Sequence, residues 1–166
     1  MIEINNLTSF SVDKKFFTGV AKKVLKEENK EKNNLSVAFV SEEEIKRLNK
    51  KYRKKNKATD VLSFGQVLNF YPIKYREAVI SPEAKLFNRV KFEFSKKDLG
   101  EIVICPEIVK ENIKKYNIPP VGGFKKELTK VLIHGILHLL GYDHEKTKKE
   151  AVKMEKKEEH YLCQFF

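Results

Sequence analysis

The stretch Val131-Leu-Ile-His-Gly-Ile-Leu-His-Leu-Leu140 is apolar on every side if helical, and a helix of that kind has to lie inside a core rather than on a surface. The rest of the chain must therefore be arranged around it. Into this apolar surround the sequence places His134 and His138. At about 100° per residue, positions four apart differ by roughly 40° around the axis, so both imidazoles leave one face, a turn apart. That separation lets two ring nitrogens reach one metal ion. Gly141 follows, and glycine readily takes the left-handed conformation that ends a helix. The chain can then turn back, so that His144 supplies a third nitrogen. Three neutral imidazoles without a thiolate or fourth protein ligand leave a coordination position open. Closed structural sites use four protein ligands, so this set reads as a catalytic centre for one Zn2+ per chain. The competing reading makes His134 and His138 satisfied core histidines and His144 a surface residue. Three histidines at this spacing, with glycine at the turn, argue against it.

The frame His-x-x-x-His-x-x-Gly-x-x-His also serves one class of zinc peptidases, which carry glutamate directly after the first histidine as general base. Here that position is Gly135. The ligand frame fits a peptidase and the catalytic residue does not.

Around the central helix, strands alternate with helices early and helices accumulate late. Ile2–Leu7, Leu35–Val40, Thr59–Phe64 and Leu99–Ile104 read as strands. Phe17, Val20, Ala21, Val24 and Leu25 recur at helical spacing after Asp13, a good N-cap. Ser41 with Glu44 forms a capping box for a second helix whose buried stripe is Ile45, Leu48 and Tyr52. Further helices are expected over Glu107–Tyr116, Phe124–Leu140 and Lys146–Leu162, with a Pro/Gly break at Asn117–Gly123. The expectation is an α+β fold with a mixed, mostly parallel sheet of about four strands packed with about five helices, and the zinc site at the end of the buried helix. The 166 residues suit a single domain, 1–166. Gly65–Asp98 reads as a long insertion with no clear element.

The chain carries 34 basic and 23 acidic residues, a net +11, which favours polyanionic partners, nucleic acid above all. Genome bias or heat adaptation is an alternative explanation of the same lysine excess. Cys105 and Cys163 belong to no paired motif, so no disulfide framework is expected and a reducing cytoplasm is the natural location. The N-terminus carries an acid, Glu3, where a signal peptide would be basic, and no apolar run is long enough to span a bilayer. No membrane partner is expected.

The segment His134-Gly-Ile-Leu-His138-Leu-Leu-Gly141-Tyr142-Asp143-His144 resembles the signature of the YbeY-type family of zinc-dependent endoribonucleases of bacterial ribosomal RNA maturation. Leu48-Asn49 with Tyr52-Arg53, then Thr59-Asp60-Val61-Leu62-Ser63-Phe64, resembles a second block of that family. Gly100-Glu101-Ile102-Val103-Ile104 resembles a third, and Met154-Glu155 with the later glutamates resembles its C-terminal helix. The resemblance implies zinc on His134, His138 and His144. It implies cleavage of single-stranded RNA in 16S rRNA 3′-end maturation and ribosome quality control, with ribosomal RNA and the small ribosomal subunit as partners. It also carries over Arg53 as a catalytic residue, and His134 as needed for activity besides binding metal. Ala58 stands where the family usually has proline and Glu101 where it usually has aspartate, and the Gly65–Asp98 excursion is longer than the family's usual connection. These departures bear on the substrate groove and leave the zinc frame intact.

Arg53, with a planar fork suited to phosphate oxygens, is expected to steady charge growing on a phosphoryl group. Lys50, Lys51, Lys54, Lys55 and Lys57 around it are RNA-binding candidates, or else a solvated helix end whose cations complement the dipole. Glu127, two turns before His134 on the same face, is a proton-transfer candidate or a surface acid. Asp143 either orients a zinc-binding histidine, as carboxylates often do, or only bonds backbone in the turn. His160 reads as structural or exposed. Three functions compete: a zinc endoribonuclease, a non-catalytic RNA- or ribosome-binding assembly factor with a structural zinc, and a zinc hydrolase of another substrate such as peptides.

Overall fold

The computed structural model describes residues 1–65, 97–117 and 123–166. In chain order the elements are β1 (Ile2–Asn6), α1 (Lys14–Glu27), β2 (Asn34–Phe39), α2 (Glu42–Arg53), β3 (Val61–Gly65), β4 (Asp98–Ile104), α3 (Pro106–Lys115), α4 (Gly123–Leu139) and α5 (Lys148–Leu162). Helix starts follow local chemistry. Asp13 accepts from Phe16 N at 2.9 Å, Ser41 from Glu44 N at 3.4 Å, and Thr147 from Glu150 N at 3.2 Å, each satisfying a backbone donor with no partner inside its helix. Pro106 occupies the first turn of α3, where its missing N–H removes no bond. β3 opens at Val61 rather than Thr59, although Asp60 O still accepts from Cys105 N at 2.8 Å and the Asp60 carboxylate accepts from Val61 N at 2.9 Å. Of the Gly65–Asp98 insertion, residues 66–96 lie outside the described residues, as do 118–122 of the Pro/Gly break.

The strand order is β1-β2-β4-β3. β1 pairs with β2 and β2 with β4 in parallel, while β3 runs antiparallel on β4 with Val61 opposite Ile104 and Gly65 opposite Gly100. The mixed, mostly parallel sheet of four strands and the five helices are those expected. Successive side chains point to opposite faces of a strand, and the core divides accordingly. Val37, Phe39, Ile102 and Ile104 face α1, α4 and α5 in the larger cluster. Ala38, Leu62, Val103 and Cys105 face Ile45 and Leu48 of α2 in the smaller one. Thus α4 and α2 lie on opposite faces of the sheet.

Helix α4 is buried as its sequence demands: Leu128, Leu132, Ile133, Ile136, Leu137 and Leu139 are all in the core. Each such side chain contributes about 1.5–3 kcal/mol of burial. The helix approaches the sheet closely at Gly135, where an added Cβ would meet Ile102 Cγ2 at 2.9 Å and Ser63 Oγ at 3.2 Å. Ser63 Oγ donates to Gly135 O at 3.3 Å across this contact. Glycine at 135 is therefore a packing requirement, and a glutamate there would point into the sheet. Cys105 is buried and Cys163 exposed, both free; burial pushes the Cys105 thiol up to about 12. No helix of the described residues is long and apolar enough to cross a membrane.

Gly135→Ala gains helix propensity of about 0.8–1 kcal/mol but overpacks against Ile102, which costs about 1–3 kcal/mol. The variant is expected to be less stable by about 1 kcal/mol in urea unfolding; equal or higher stability would show that α4 does not sit this close to the sheet.

Candidate metal centre

His134 and His138 project from α4 as two half-buried side chains, and His144 stands exposed on the turn after it. Gly141, at φ +95°, takes the turn in a backbone conformation that L side chains rarely adopt, and the chain folds back over the end of α4. One ligand atom from each of the three histidines lies within 4.8 Å of the others. The ring centroids are 4.5, 5.3 and 5.1 Å apart.

The tautomers follow from what the other ring nitrogens touch. His134 Nδ1 is 2.7 Å from Glu158 Oε1 and His138 Nδ1 is 3.0 Å from the carbonyl oxygen of Tyr142. A carboxylate and a carbonyl only accept, so both Nδ1 atoms carry hydrogen and donate. In the neutral rings both Nε2 atoms are then bare lone pairs, and they face each other at 3.0 Å. Burial, and then the neighbouring His134 and His144, hold the His138 imidazole below its ordinary pKa, which favours the neutral, ligating form. Two converging lone pairs repel unless a cation lies between them. Zinc–nitrogen bonds of about 2.0–2.1 Å in a tetrahedron place nitrogens about 3.4 Å apart, close to the spacing found. The donor set therefore fits a metal ion, held by Nε2 of His134 and His138 and a ring nitrogen of His144.

The supports of these ligands come from distant parts of the chain. Glu158 on α5 orients His134. Tyr142, whose carbonyl orients His138, donates its hydroxyl to Glu28 Oε2 at 3.1 Å. Glu28, just past α1, also accepts from Tyr161 Oη at 2.6 Å and Lys157 Nζ at 2.8 Å. Burial pulls the Glu28 carboxyl upward, but its hydrogen bonds with Lys157, Tyr161 and Tyr142 outweigh that and hold it below the ordinary carboxylate range.

A cleft of about 280 Å³ opens beside His134, lined by Asp60, Glu127, Lys130 and Glu158 together with Asn112 and Tyr116 of the α3 end and the valines 61, 109 and 131. Glu127 is thus brought into one cleft with His134, as its spacing suggested. Asp143 instead serves the turn: its Oδ1 accepts from Glu145 N at 2.9 Å, and its other oxygen lies 3.8 Å from Lys146 Nζ. Sequence reasoning missed Glu158, which lies 24 residues from the ligand it orients. Its only early sign is its place among the later glutamates that resemble the family's C-terminal helix. His160 is exposed and paired with Glu27 at 2.8 Å, and it is not part of the histidine cluster.

Arg53 is exposed in the last turn of α2 and is not among the described residues lining the cleft. Lys54, at φ 60°, closes that helix, and its Nζ donates to Lys51 O at 3.2 Å. Lys50 is exposed and Lys51 partly buried on the same turn, with Lys51 Nζ 5.3 Å from the Tyr52 ring. Lys55 N donates to Asn49 O at 3.3 Å, and buried Asn49 holds Lys57 O through its Nδ2 at 2.7 Å. The basic run is therefore a tethered connection that leads from α2 to Asp60, at the cleft.

Such a fold, with a histidine cluster able to hold a metal ion, defines a class of α+β proteins, and comparison places the chain in one family of it. The protein-family model described as Endoribonuclease YbeY matches residues 3–165. The chain is 42% identical over 128 residues to the Endoribonuclease YbeY of Thermodesulfovibrio yellowstonii, covering 77% of this chain and 64% of that one. To that of Thermotoga neapolitana it is 40% identical over 129 residues, covering 78% and 65%. To that of Ruthia magnifica it is 37% identical over 157 residues, covering 93% and 89%. The solution structure of a Thermotoga maritima protein matches with a TM-score of 0.59 at 33% identity, over 98% of this chain and 87% of that one. The chain belongs to the YbeY family.

Loss of an outer partner of a metal-bound histidine typically costs 10–100-fold in metal affinity. Glu158→Ala is expected to weaken zinc binding by about that factor in competition with a chromophoric chelator, and Glu158→Gln by less; unchanged affinity in the alanine variant would remove Glu158 from the site. A carboxyl with a depressed folded pKa contributes stability that is present above its unfolded value and lost as pH falls through the folded one. For Glu28, whose ordinary value is 4.5, the stability advantage of the wild type over Glu28→Gln in the metal-free protein should persist at neutral pH and shrink on acidification below about 4.5. Denaturant unfolding at a series of pH values measures it, and a gap that widens in acid would contradict the assignment.

Proposed function

We propose that this protein is a zinc-dependent, single-strand-specific endoribonuclease of the cytoplasm, acting in 16S rRNA 3′-end maturation and ribosome quality control. The observation that carries the proposal is the pair of Nε2 lone pairs facing each other at 3.0 Å beside an open cleft, in a chain of the YbeY family. The name of the relatives, Endoribonuclease YbeY, supplies the reaction class. The alignments span 64% and 65% of the first two relatives. The net charge of +11 supports an RNA substrate and the small ribosomal subunit as partner.

When bound, a divalent ion supplies Lewis acidity, polarising a phosphoryl oxygen or acidifying water. The residues of the chain do the rest. His134, His138 and His144 would hold the ion through ring nitrogens, and Glu158 keeps the His134 ring turned so that Nε2 presents its lone pair. Glu127, in the same cleft, is the carboxylate proposed to take or give a proton. Arg53 is proposed to steady charge on the phosphoryl group, with Lys50, Lys51, Lys54, Lys55 and Lys57 drawing the RNA backbone to that end of the protein. Support for Arg53 comes from the family match over its block and from the tether that joins α2 to Asp60 in the cleft. Amide hydrolysis is disfavoured by the packing at Gly135, which leaves no room for a general-base side chain.

One observation favours a second reading, a structural zinc in an RNA- or ribosome-binding assembly factor: the histidine set and Glu158 together join α4, the following turn and α5. Zinc-loaded protein is expected to cut single-stranded RNA and to stop on chelation, with His134→Ala at least 100-fold slower. Arg53→Ala should keep its zinc and lose about 100-fold in cleavage. Cleavage unchanged in His134→Ala would mean a contaminating nuclease, and chelation that melts a protein which never cuts RNA would favour the structural reading.

A further inference from the structure

Among the described residues the exposed large hydrophobic side chains are Met1, Leu7, Tyr116, Val152 and Phe166. Of these only Tyr116 lines the cleft beside His134. Its ring is 64% exposed, at the C-cap of α3, and Lys115 Nζ lies 5.2 Å from the ring centroid. Apart from Lys115, no described side chain stacks on this ring. Two polar side chains of the same cleft are likewise without a described partner. The side chains of Asn112 and Lys130 form no hydrogen bond or ion pair among the described residues, and both line the same wall. Lys130 stands one helical turn before His134 on α4, so the two side chains leave the same face of the helix. The wall of the cleft thus offers a π-face at Tyr116, an amide at Asn112 that can both donate and accept, a cation at Lys130, and the candidate metal ligand His134.

We infer that Tyr116 is the stacking platform for one nucleobase of single-stranded RNA, the base next to the scissile phosphate, with Lys130 receiving a phosphate oxygen and Asn112 facing the base edge. This inference rests on the endoribonuclease reading and names the subsite through which it would act. A volume of about 280 Å³ lies at the small end of the ~300–1,000 Å³ typical of ligand sites. It suits one nucleotide and not a helix. A base can lie on Tyr116 only when it is free of its own neighbours, which is the condition that separates loops and single strands from duplex. Every base has a π-face, so a platform of this kind selects strandedness with little regard to sequence. Asn112, beside the ring, is the group able to add a preference, because its amide pairs differently with each base edge.

The test uses the zinc-loaded full chain and a short single-stranded 2′-O-methyl oligoribonucleotide carrying 2-aminopurine, whose fluorescence falls when the base stacks. Wild type and Tyr116→Phe are expected to bind and quench alike, and Tyr116→Ala to bind about tenfold more weakly with the quench lost. On cleavable RNA, Tyr116→Ala should raise KM about tenfold with kcat largely kept. Its melting temperature should not change, since the ring is mostly exposed. Binding and quenching in Tyr116→Ala equal to wild type would overturn the platform while leaving RNA cleavage by the wild type intact. A wild type that neither binds nor cuts single-stranded RNA would overturn the endoribonuclease reading, and the platform with it.

Discussion

Two imidazole lone pairs held 3.0 Å apart at the edge of a hydrophobic core are the constraint around which the molecule is organised. Each ring has its Nδ1–H bound to an acceptor, His134 to Glu158 and His138 to Tyr142 O. Neither ring can turn to relieve the repulsion without losing a partner. The rings stay where they are because α4 is fixed by burial of almost every other residue along it and by the close contact of Gly135 with Ile102. Protein and metal are complementary in energy as well as in shape. With both rings neutral the contact is unfavourable, and a cation between them would convert it into two bonds, so a bound metal would add to folding stability.

Holding the ligands falls to elements far from them in sequence. α5 contributes Lys157 to the Glu28 carboxylate and the adjacent Glu158 to His134, while Met154 and Tyr161 anchor the helix in the core. A carboxylate in so enclosed a place would be costly alone. With Tyr142, Tyr161 and Lys157 all donating to it, Glu28 becomes a hub that ties the end of α1 to the histidine turn and to α5. A disturbance at this hub reaches His138 through one residue, since Tyr142 spends its hydroxyl on Glu28 and its carbonyl on the ring.

The ligand frame was readable in the chain because it is local: His134, His138 and His144 lie within one helix end and its turn, and 3.6-residue periodicity with a glycine stop describes that region fully. The nearness of Glu127 to His134 was readable for the same reason, and so were the caps at Asp13 and Ser41. The outer partners were not. Asp143 is the nearest carboxylate in sequence and was a natural candidate for orienting a ligand, yet turn geometry commits it to Glu145 N. The carboxylate that bonds a ligand, Glu158, comes from a helix whose docking side no local pattern specifies. The meaning of Gly135 also needed the sheet. As sequence it marks a missing base; as structure it marks the point where α4 touches Ile102. The antiparallel edge strand β3 was likewise beyond periodicity, since alternation sets which face a residue takes and not the direction of its strand.

The distribution of charge assigns different tasks to the two faces of the sheet. Among the described residues, the cleft beside His134 is lined by three carboxylates, Asp60, Glu127 and Glu158, against one lysine, Lys130. Without an ion such a wall is unfavourable for a polyanion, and the dipositive charge of a bound metal would reverse that. The run at Lys50, Lys51, Lys54, Lys55 and Lys57 belongs to the end of α2, the helix packed on the other face of the sheet. Under the proposed function, exposed charges there would act on RNA over roughly a Debye length, about 8 Å at physiological salt, raising the local concentration of substrate without choosing the bond to be cut. Attraction would then be spread over the lysine-rich exterior, with discrimination left to a small cleft whose charge balance would depend on a bound metal.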